Sequence, residues 1–196
     1  MKLALFTVLL FTIPFSVPAQ QPSPSPTSKP AANTYVRPDQ RERTMHYLKN
    51  MFGPRALAKR VVTSGIATWG NSPEEWGPHW DGFGKRFASN TGKSVIGNTT
   101  KFALDEAFKL DSRYYRSSGG VGAKIKNAIV SPFIARNEHG RKVFGIPHVA
   151  GTYTANVIAS ETWYPGKESW KDGMRRGCVS LGTDIVFNLI KEFVRW

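Results

Sequence analysis

The chain has 196 residues, of which 27 are Lys or Arg and 14 are Asp or Glu, so its formal net charge is +13. Hydrophobic residues make up 40% and aromatic residues 12%, which is enough for a folded core and excludes a wholly disordered basic tail. A single globular domain is expected, because domains usually take about 100–200 residues.

The first 19 residues have the composition of a secretory signal peptide. Lys2 supplies the positive start, residues 3–15 form a nearly continuous apolar run, and Val17 and Ala19 are the small residues expected before a cleavage site. The alternative is an uncleaved N-terminal anchor, for which the run is short, since a span needs about 20 apolar residues. No cysteine follows the run, so lipid attachment of the bacterial lipoprotein kind is not indicated.

Residues 20–37 are predicted to be a linker, and residues 38–196 the folded domain. The linker contains the run QPSPSPTSKP. Its prolines lack a backbone N–H group and favour an extended chain, and its side chains are too polar to form a core. Such a segment typically tethers a domain to a membrane or a wall.

Six helix-length segments follow, separated by glycine and proline. Each has apolar residues at helical spacing, and several begin with a capping residue or with proline at the first helical position. Pro132 is expected to kink or end the fourth segment. The sequence therefore predicts an all-α fold, a compact bundle of five to six helices, over residues 39–52, 54–68, 82–109, 119–136, 147–163 and 168–193.

Small residues recur at four-residue spacing on three of these segments, which lets two helix backbones approach closely. The prediction is a Gly/Ala-lined packing between helices. The stripes on the third and last segments are also candidates for contacts in a homo-oligomer. The three stripes are Gly84, Ala88 and Gly92; Gly151, Ala155 and Ala159; and Gly173 and Gly177.

The last segment has the clearest amphipathic pattern, which predicts that one face is buried. Cys178 belongs to that face and is the only cysteine. It is predicted to be a buried small hydrophobe rather than a reactive thiol, and it has no partner for an internal disulfide. The face comprises Met174, Cys178, Leu181, Ile185, Leu189 and Phe193.

The densest polar run, DSRYYRSSGG, is the best candidate for an anion site. Arg113 and Arg116 offer forked donors, and the glycines would expose backbone N–H groups before the next helix. The alternative is an interhelical loop in which Asp111 pairs with an arginine and the tyrosines cover the core. Arg175 and Arg176, at the start of the last helix, either extend an anion-binding surface or form a solvated helix face.

His79, Asp81 and His148 are the candidates for catalytic groups, since imidazole and carboxylate side chains carry acid–base chemistry. The alternative for the first two is a surface loop. No second cluster has matching metal-ligand spacing, so neither a metal nor a cofactor is predicted. The nucleophile motif G-x-S-x-G and the zinc motif H-E-x-x-H are absent from the sequence.

The strings WGNSPEEWGPHWDGFGKRF, LDSRYYRSSGG and WYPGKESWKDGMRRGCVSLGTD, with the ending NLIKEF, resemble a group of exported bacterial proteins of unknown function. The resemblance covers most of residues 52–193. It implies a bacterial envelope setting and a shared architecture, and it implies no catalytic residue.

These observations favour a non-enzymatic, basic envelope protein that associates with an anionic surface, either lipid headgroups or a wall polymer. The attraction would be screened over a Debye length of about 8 Å at physiological salt. The alternative is an exported hydrolase acting on a phosphate-bearing substrate, with Arg113, Arg116 and Arg175 as anion ligands and His79 or His148 as the acid–base group. Basic charge also permits nucleic-acid binding, but export argues against chromosomal DNA as the partner.

Overall fold

The fold is that of a computed structural model, which describes residues 35–166 and 168–194. The predicted signal peptide and residues 20–34 of the predicted linker lie outside the described residues. Helices account for most of the described chain, which confirms the all-α prediction. They are α1 (Gln40–Phe52), α2 (Pro54–Trp69), α3 (Trp80–Ala107), α4 (Val121–Val130), α5 (Ile146–Thr162) and α6 (Trp170–Phe193).

Local capping groups set where these helices begin. Asp39 accepts a hydrogen bond from the backbone N–H of Glu42 (2.6 Å) at the start of α1. Pro54 opens α2, where its missing N–H group would have had no helical partner. Ser169 and Asp172 form a reciprocal capping box at the start of α6. Because such signals are local, the predicted boundaries of α1, α2, α3, α5 and α6 lie within two residues of the observed ones.

The fourth predicted segment, 119–136, is helical only as far as Val130, which confirms that Pro132 ends it, and the prediction of helix over residues 134–136 is wrong. Ser131–Phe133 form one turn of 3₁₀-helix, because Pro132 cannot donate the hydrogen bond that would continue α4. The chain then forms a two-stranded antiparallel hairpin, β1 (Ile134–Arg136) and β2 (Lys142–Phe144).

The hairpin is tied to the chain that follows α3. The backbones of Asp111 and Arg136 exchange two hydrogen bonds, of 2.8 and 2.9 Å. This partner is remote in sequence, so local periodicity carries no sign of the strand.

Glycines let α5 pack closely against α3 on one side and α6 on the other. A Cβ atom added at Gly151 of α5 would lie 2.5 Å from the carbonyl oxygen of Gly97 on α3. One added at Gly173 of α6 would lie 2.5 Å from the Cα of Val157, and Gly177 is likewise buried against α5. The predicted Gly/Ala-lined packing is therefore confirmed here, and Gly173 and Gly177 are engaged inside the chain.

The small-residue stripe predicted on α3 is used differently. Gly84 and Ala88 are exposed, and nothing lies within 4 Å of a Cβ added at Gly84. A Cβ added at Gly92 would lie 3.4 Å from the ring of Trp163. The close backbone approach to α5 occurs further along the helix, at Gly97.

The antiparallel arrangement gives the bundle two distinct ends. At one end the α2–α3 loop meets the α5–α6 loop, and the ring centres of Trp76 and Tyr164 lie 5.1 Å apart. At the other end Arg116 donates to the carbonyl oxygen of Val194, just beyond α6 (2.8 Å). The end with the two loops is called the tryptophan end, since it holds Trp69, Trp76, Trp80, Trp163 and Trp170. The end with Val194 is called the tyrosine end, since it holds Tyr35, Tyr114 and Tyr115.

The fold also includes residues that the sequence assigns to the linker. The hydroxyl of Tyr35 donates to Asp111 (2.7 Å), and Arg37 donates to the carbonyl oxygen of Asp105 (3.2 Å). These contacts extend the domain at least three residues before residue 38.

Candidate functional site

Asp111 is the centre of the segment predicted to bind an anion. Its buried carboxylate accepts hydrogen bonds from Tyr35 (2.7 Å), Tyr115 (2.5 Å) and the Nε of Arg113 (3.1 Å). Burial raises the pKa of Asp111, but these donors outweigh it and hold the pKa below its ordinary value. Arg113 also donates to Glu42 (2.7 Å). The predicted alternative, a loop in which Asp111 pairs with an arginine, is confirmed.

The four arginines predicted to bind an anion lie at opposite ends of α6. Arg113 and Arg116 are at the tyrosine end, and Arg175 and Arg176 are in the first two turns of α6. This helix has 24 residues, so its ends lie about 36 Å apart at 1.5 Å per residue. Arg176 is paired with Glu168. Within residues 35–166 and 168–194, Arg175 has no hydrogen bond, ion pair or ring contact.

The predicted catalytic candidates do not converge either. His79 immediately precedes α3, and Asp81, in its first turn, pairs with Lys85 (2.6 Å). Both are exposed at the tryptophan end. His148 lies in the first turn of α5, which packs antiparallel to α3, so it is displaced toward the other end. Its Nε2 lies 3.1 Å from a carboxylate oxygen of Asp184 on α6.

A partly buried charged cluster joins α2, α5 and α6. One carboxylate oxygen of Asp184 lies 2.5 Å from the Nζ of Lys59, and the other faces His148. Burial raises the pKa of Asp184, but Lys59 and His148 outweigh it and hold the pKa far below its ordinary value. Burial lowers the pKa of Lys101, and burial together with the charge of Lys59 lowers that of Lys191. The interior is therefore polar and rich in cations.

The His148–Asp184 pair is the carboxylate–imidazole half of an acid–base site, but its surroundings are those of an ion-pair network. In the described part of the chain, the ring of His148 makes no hydrogen bond to a serine, threonine or cysteine. The same described ranges contain no group of three or more ligand side chains able to hold a metal ion. The geometry accounts for the cluster as charge compensation between three helices.

His46 lies in a recess that the sequence patterns did not reveal. The recess is small, with a volume of about 40 Å³, and His46, Lys101 and Arg113 are among the residues that line it. Burial, followed by the positive charges of Lys101 and Arg113, lowers the pKa of His46 from 6.5 to about 4. The imidazole is therefore neutral at pH 7. In the sequence, the one indication of this recess is that His46 lies on the same face of α1 as Arg43 and Asn50.

α2 turns apolar side chains outward and polar side chains inward. Trp69 is 91% exposed and Ile66 is 62% exposed, whereas Arg60 and Ser64 are buried. Arg60 donates to the hydroxyl of Ser94 (2.8 Å). This polarity is the reverse of that expected for a helix packed on a soluble core. We define the outer face of α2 as Leu57, Val61, Val62, Ile66 and Trp69.

α6 repeats this reversal, so the prediction that its apolar stripe is buried is wrong at several positions. Leu181 is buried as expected, but Met174, Cys178 and Phe193 are exposed. The inner face consists of Gly173, Gly177, Leu181, Asn188 and Glu192. Contact through the two glycines sets the rotation of α6 about its axis, which turns the apolar stripe away from α5.

Glu192 can face inward because its carboxylate is fully engaged. It accepts hydrogen bonds from the hydroxyl of Tyr114 (2.5 Å), the side-chain amide of Asn127 (2.7 Å) and the backbone N–H of Ser117 (3.0 Å). Burial raises its pKa, but these donors outweigh burial and lower the pKa overall.

A basic cleft opens at the tryptophan end between α3, the α5–α6 loop and α6. Its volume is about 410 Å³. The charged groups that line it are Lys93, Glu168, Asp172, Arg175 and Arg176. The two arginines were predicted to bind an anion, but Lys93 was not, because only the fold brings the middle of α3 to this place.

Within the described ranges, no helix is both long enough and apolar enough to cross a membrane.

Comparison with models of protein families, with curated proteins and with solved structures finds no match to this chain. Three features of the described residues indicate a function: the outer face of α2, the tryptophan end and the basic cleft.

Proposed function

We propose that this protein is a peripheral component of the bacterial cell envelope that binds the surface of an anionic lipid layer. The outer face of α2 is the observation that carries the proposal. A Val, Leu or Ile side chain contributes about 1.5–3 kcal/mol when it is fully removed from water. A helix with such a face enters the boundary between headgroups and acyl chains, while the polar face of α2 keeps its contacts inside the bundle.

The charge of the chain supports a lipid layer as the occupant of this face. The net charge is +13, so an anionic layer attracts the protein, whereas two copies of the chain repel each other. A hydrated wall polymer carries negative charge too, but it has no apolar interior to receive valine and isoleucine side chains.

The tryptophan end supports the same assignment. Trp69 ends the outer face of α2, and Trp80 begins α3 at the same end; they are 91% and 85% exposed. Indole rings favour the interface between lipid headgroups and acyl chains, since they are apolar with one polar N–H group.

We do not propose the hydrolase alternative. It requires Arg113, Arg116 and Arg175 around one substrate, and these residues lie at opposite ends of α6.

Vesicle binding of the full chain tests the proposal. The protein is sedimented with vesicles of phosphatidylcholine alone and of phosphatidylcholine mixed with phosphatidylglycerol, and at low salt binding is expected to be much tighter to the mixed vesicles. The double variant Val62→Asn with Ile66→Asn is expected to bind at least about tenfold more weakly, since it removes two exposed apolar side chains from the face.

The matched control is Phe144→Asn. Phe144 and Ile66 are similarly exposed, at 60% and 62%. Phe144 lies on β2 at the tyrosine end, away from the outer face of α2, so its replacement should leave vesicle binding unchanged. Absence of binding to anionic vesicles would refute the proposal. A stable dimer in buffer that the double variant dissociates would assign the face to a second copy of the chain instead.

A further inference from the structure

We propose that the basic cleft binds the phosphate group of an anionic phospholipid, with Arg175 and Lys93 as its ligands. This inference rests on the proposed lipid binding and adds a specific headgroup site to it. The cleft's volume of about 410 Å³ is within the range of small-molecule sites, about 300–1,000 Å³.

The carboxylates of the cleft are already engaged by their own neighbours. Glu168 pairs with Arg176, whose guanidinium carbon also lies 4.1 Å from the ring centre of Tyr164. Asp172 accepts hydrogen bonds from the backbone N–H (2.9 Å) and the hydroxyl (3.0 Å) of Ser169. Glu168 is therefore neutralised by Arg176, whereas Asp172 receives neutral donors and keeps its charge, so the three cations of the cleft still outnumber its two carboxylates.

Two cations of the cleft make no ion pair within the described residues. Arg175 is exposed, and within residues 35–166 and 168–194 it has no partner. The Nζ of Lys93 lies 3.2 Å from the hydroxyl of Tyr164 and 5.5 Å from its ring centre, and both of these partners are neutral. Ser72 and Ser180 add hydroxyl groups to the same lining. Two cations with hydroxyl donors suit a phosphate, whose oxygens accept charge-assisted hydrogen bonds.

The place of the cleft favours a lipid phosphate over a phosphate free in solution. The cleft lies at the tryptophan end, where Trp69 and Trp80 project into solvent. Phosphate groups and indole rings occupy neighbouring depths in a lipid layer. Docking through the outer face of α2 would therefore bring the cleft close to the headgroups.

A comparison of vesicles that carry the same charge on different chemical groups tests this site. The full chain is titrated with neutral galactolipid vesicles that contain either phosphatidylglycerol or oleate, adjusted to equal electrophoretic mobility. The wild-type chain is expected to bind the phosphate-bearing vesicles about tenfold more tightly, the size of one charge-assisted hydrogen bond, because a phosphoglycerol headgroup projects from the layer into the cleft whereas the carboxylate of oleate lies at the level of the layer. Arg175→Gln and Lys93→Gln are each expected to reduce this preference toward none while binding to both vesicles persists.

The matched control is Lys171→Gln, which removes the same charge one turn earlier on α6, outside the cleft lining. It should keep the preference. Equal wild-type binding to the two vesicles would overturn the headgroup site and leave the proposed function standing, whereas no binding to either would refute both. Calorimetric binding of inorganic phosphate that depends on Arg175, without any vesicle preference, would assign the cleft to free phosphate and overturn the lipid assignment.

Discussion

At the scale of single residues, His46 is expected to make stability depend on pH. Its pKa falls from 6.5 to about 4 on folding, first through burial and then through Lys101 and Arg113, while Asp111 and Glu42 act in the opposite direction. Between these two values the unfolded chain binds the proton and the folded chain does not. Stability is therefore complete above pH 6.5 and is lost as the pH falls toward 4.

The expected loss is about 2–3 kcal/mol of unfolding free energy, at about 1.36 kcal/mol for each pKa unit. Urea unfolding followed by tryptophan fluorescence at several pH values between 4 and 6.5 measures it. His46→Gln should remove most of this slope, and His139→Gln, in the exposed turn of the hairpin, should retain it. An unchanged slope in His46→Gln would show that other groups carry the dependence.

At this scale the sequence predicts contacts whose partners are close along the chain. The pairing of Asp111 with an arginine could be predicted because Arg113 lies two residues away. The environments of His46 and Lys93 could not, because their surroundings come from segments that only the fold brings together. The same holds for His148, whose partner Asp184 lies 36 residues away on another helix.

At the scale of helices, the contact between α3 and α5 depends on the absence of a side chain at Gly151. Gly151→Ala would place a Cβ atom 2.5 Å from the backbone oxygen of Gly97 and 3.3 Å from the backbone nitrogen of Lys101. Since backbone atoms cannot rotate aside, the two helices must separate. The expected cost is about 1–3 kcal/mol of unfolding free energy, or more, measured by urea unfolding.

Gly84→Ala is the matched control, because nothing lies within 4 Å of its added Cβ on the exposed side of α3. Alanine has the higher helix propensity, so this variant is expected to be as stable as the wild-type chain or up to about 1 kcal/mol more stable. Equal stability of the two variants would mean that α3 and α5 do not pack as closely as described.

Helix spans and helix rotations differ in how far the sequence determines them. Caps and prolines are local, so five spans were predicted within two residues. The rotation of α6 was predicted from its apolar stripe, on the assumption that apolar side chains face inward. Gly173 and Gly177 set the rotation instead, and the polar partners of Glu192 make its inward position possible. Cys178 is exposed for the same reason.

At the scale of the whole molecule, two contributions to vesicle binding can be separated: the attraction between the excess positive charge and the anionic layer, and the burial of the exposed apolar face of α2. The excess charge acts at a distance and is screened by salt, whereas transfer of the outer face of α2 out of water does not depend on charge. Both are present in the wild-type chain. The Val62→Asn and Ile66→Asn double variant weakens the second and leaves the net charge at +13.

A salt series on anionic vesicles is therefore expected to separate the two parts. Raising the salt concentration from 0.1 to 1 M shortens the Debye length from about 10 Å to about 3 Å, so wild-type binding should weaken but remain measurable at 1 M. The double variant should lose most of its binding at high salt, because the apolar contact that remains to it, through Leu57, Val61 and Trp69, is weaker than that of the wild-type chain. Wild-type binding that disappears as completely as that of the double variant would mean that charge alone holds the protein to the layer. The outer face of α2 would then need another occupant.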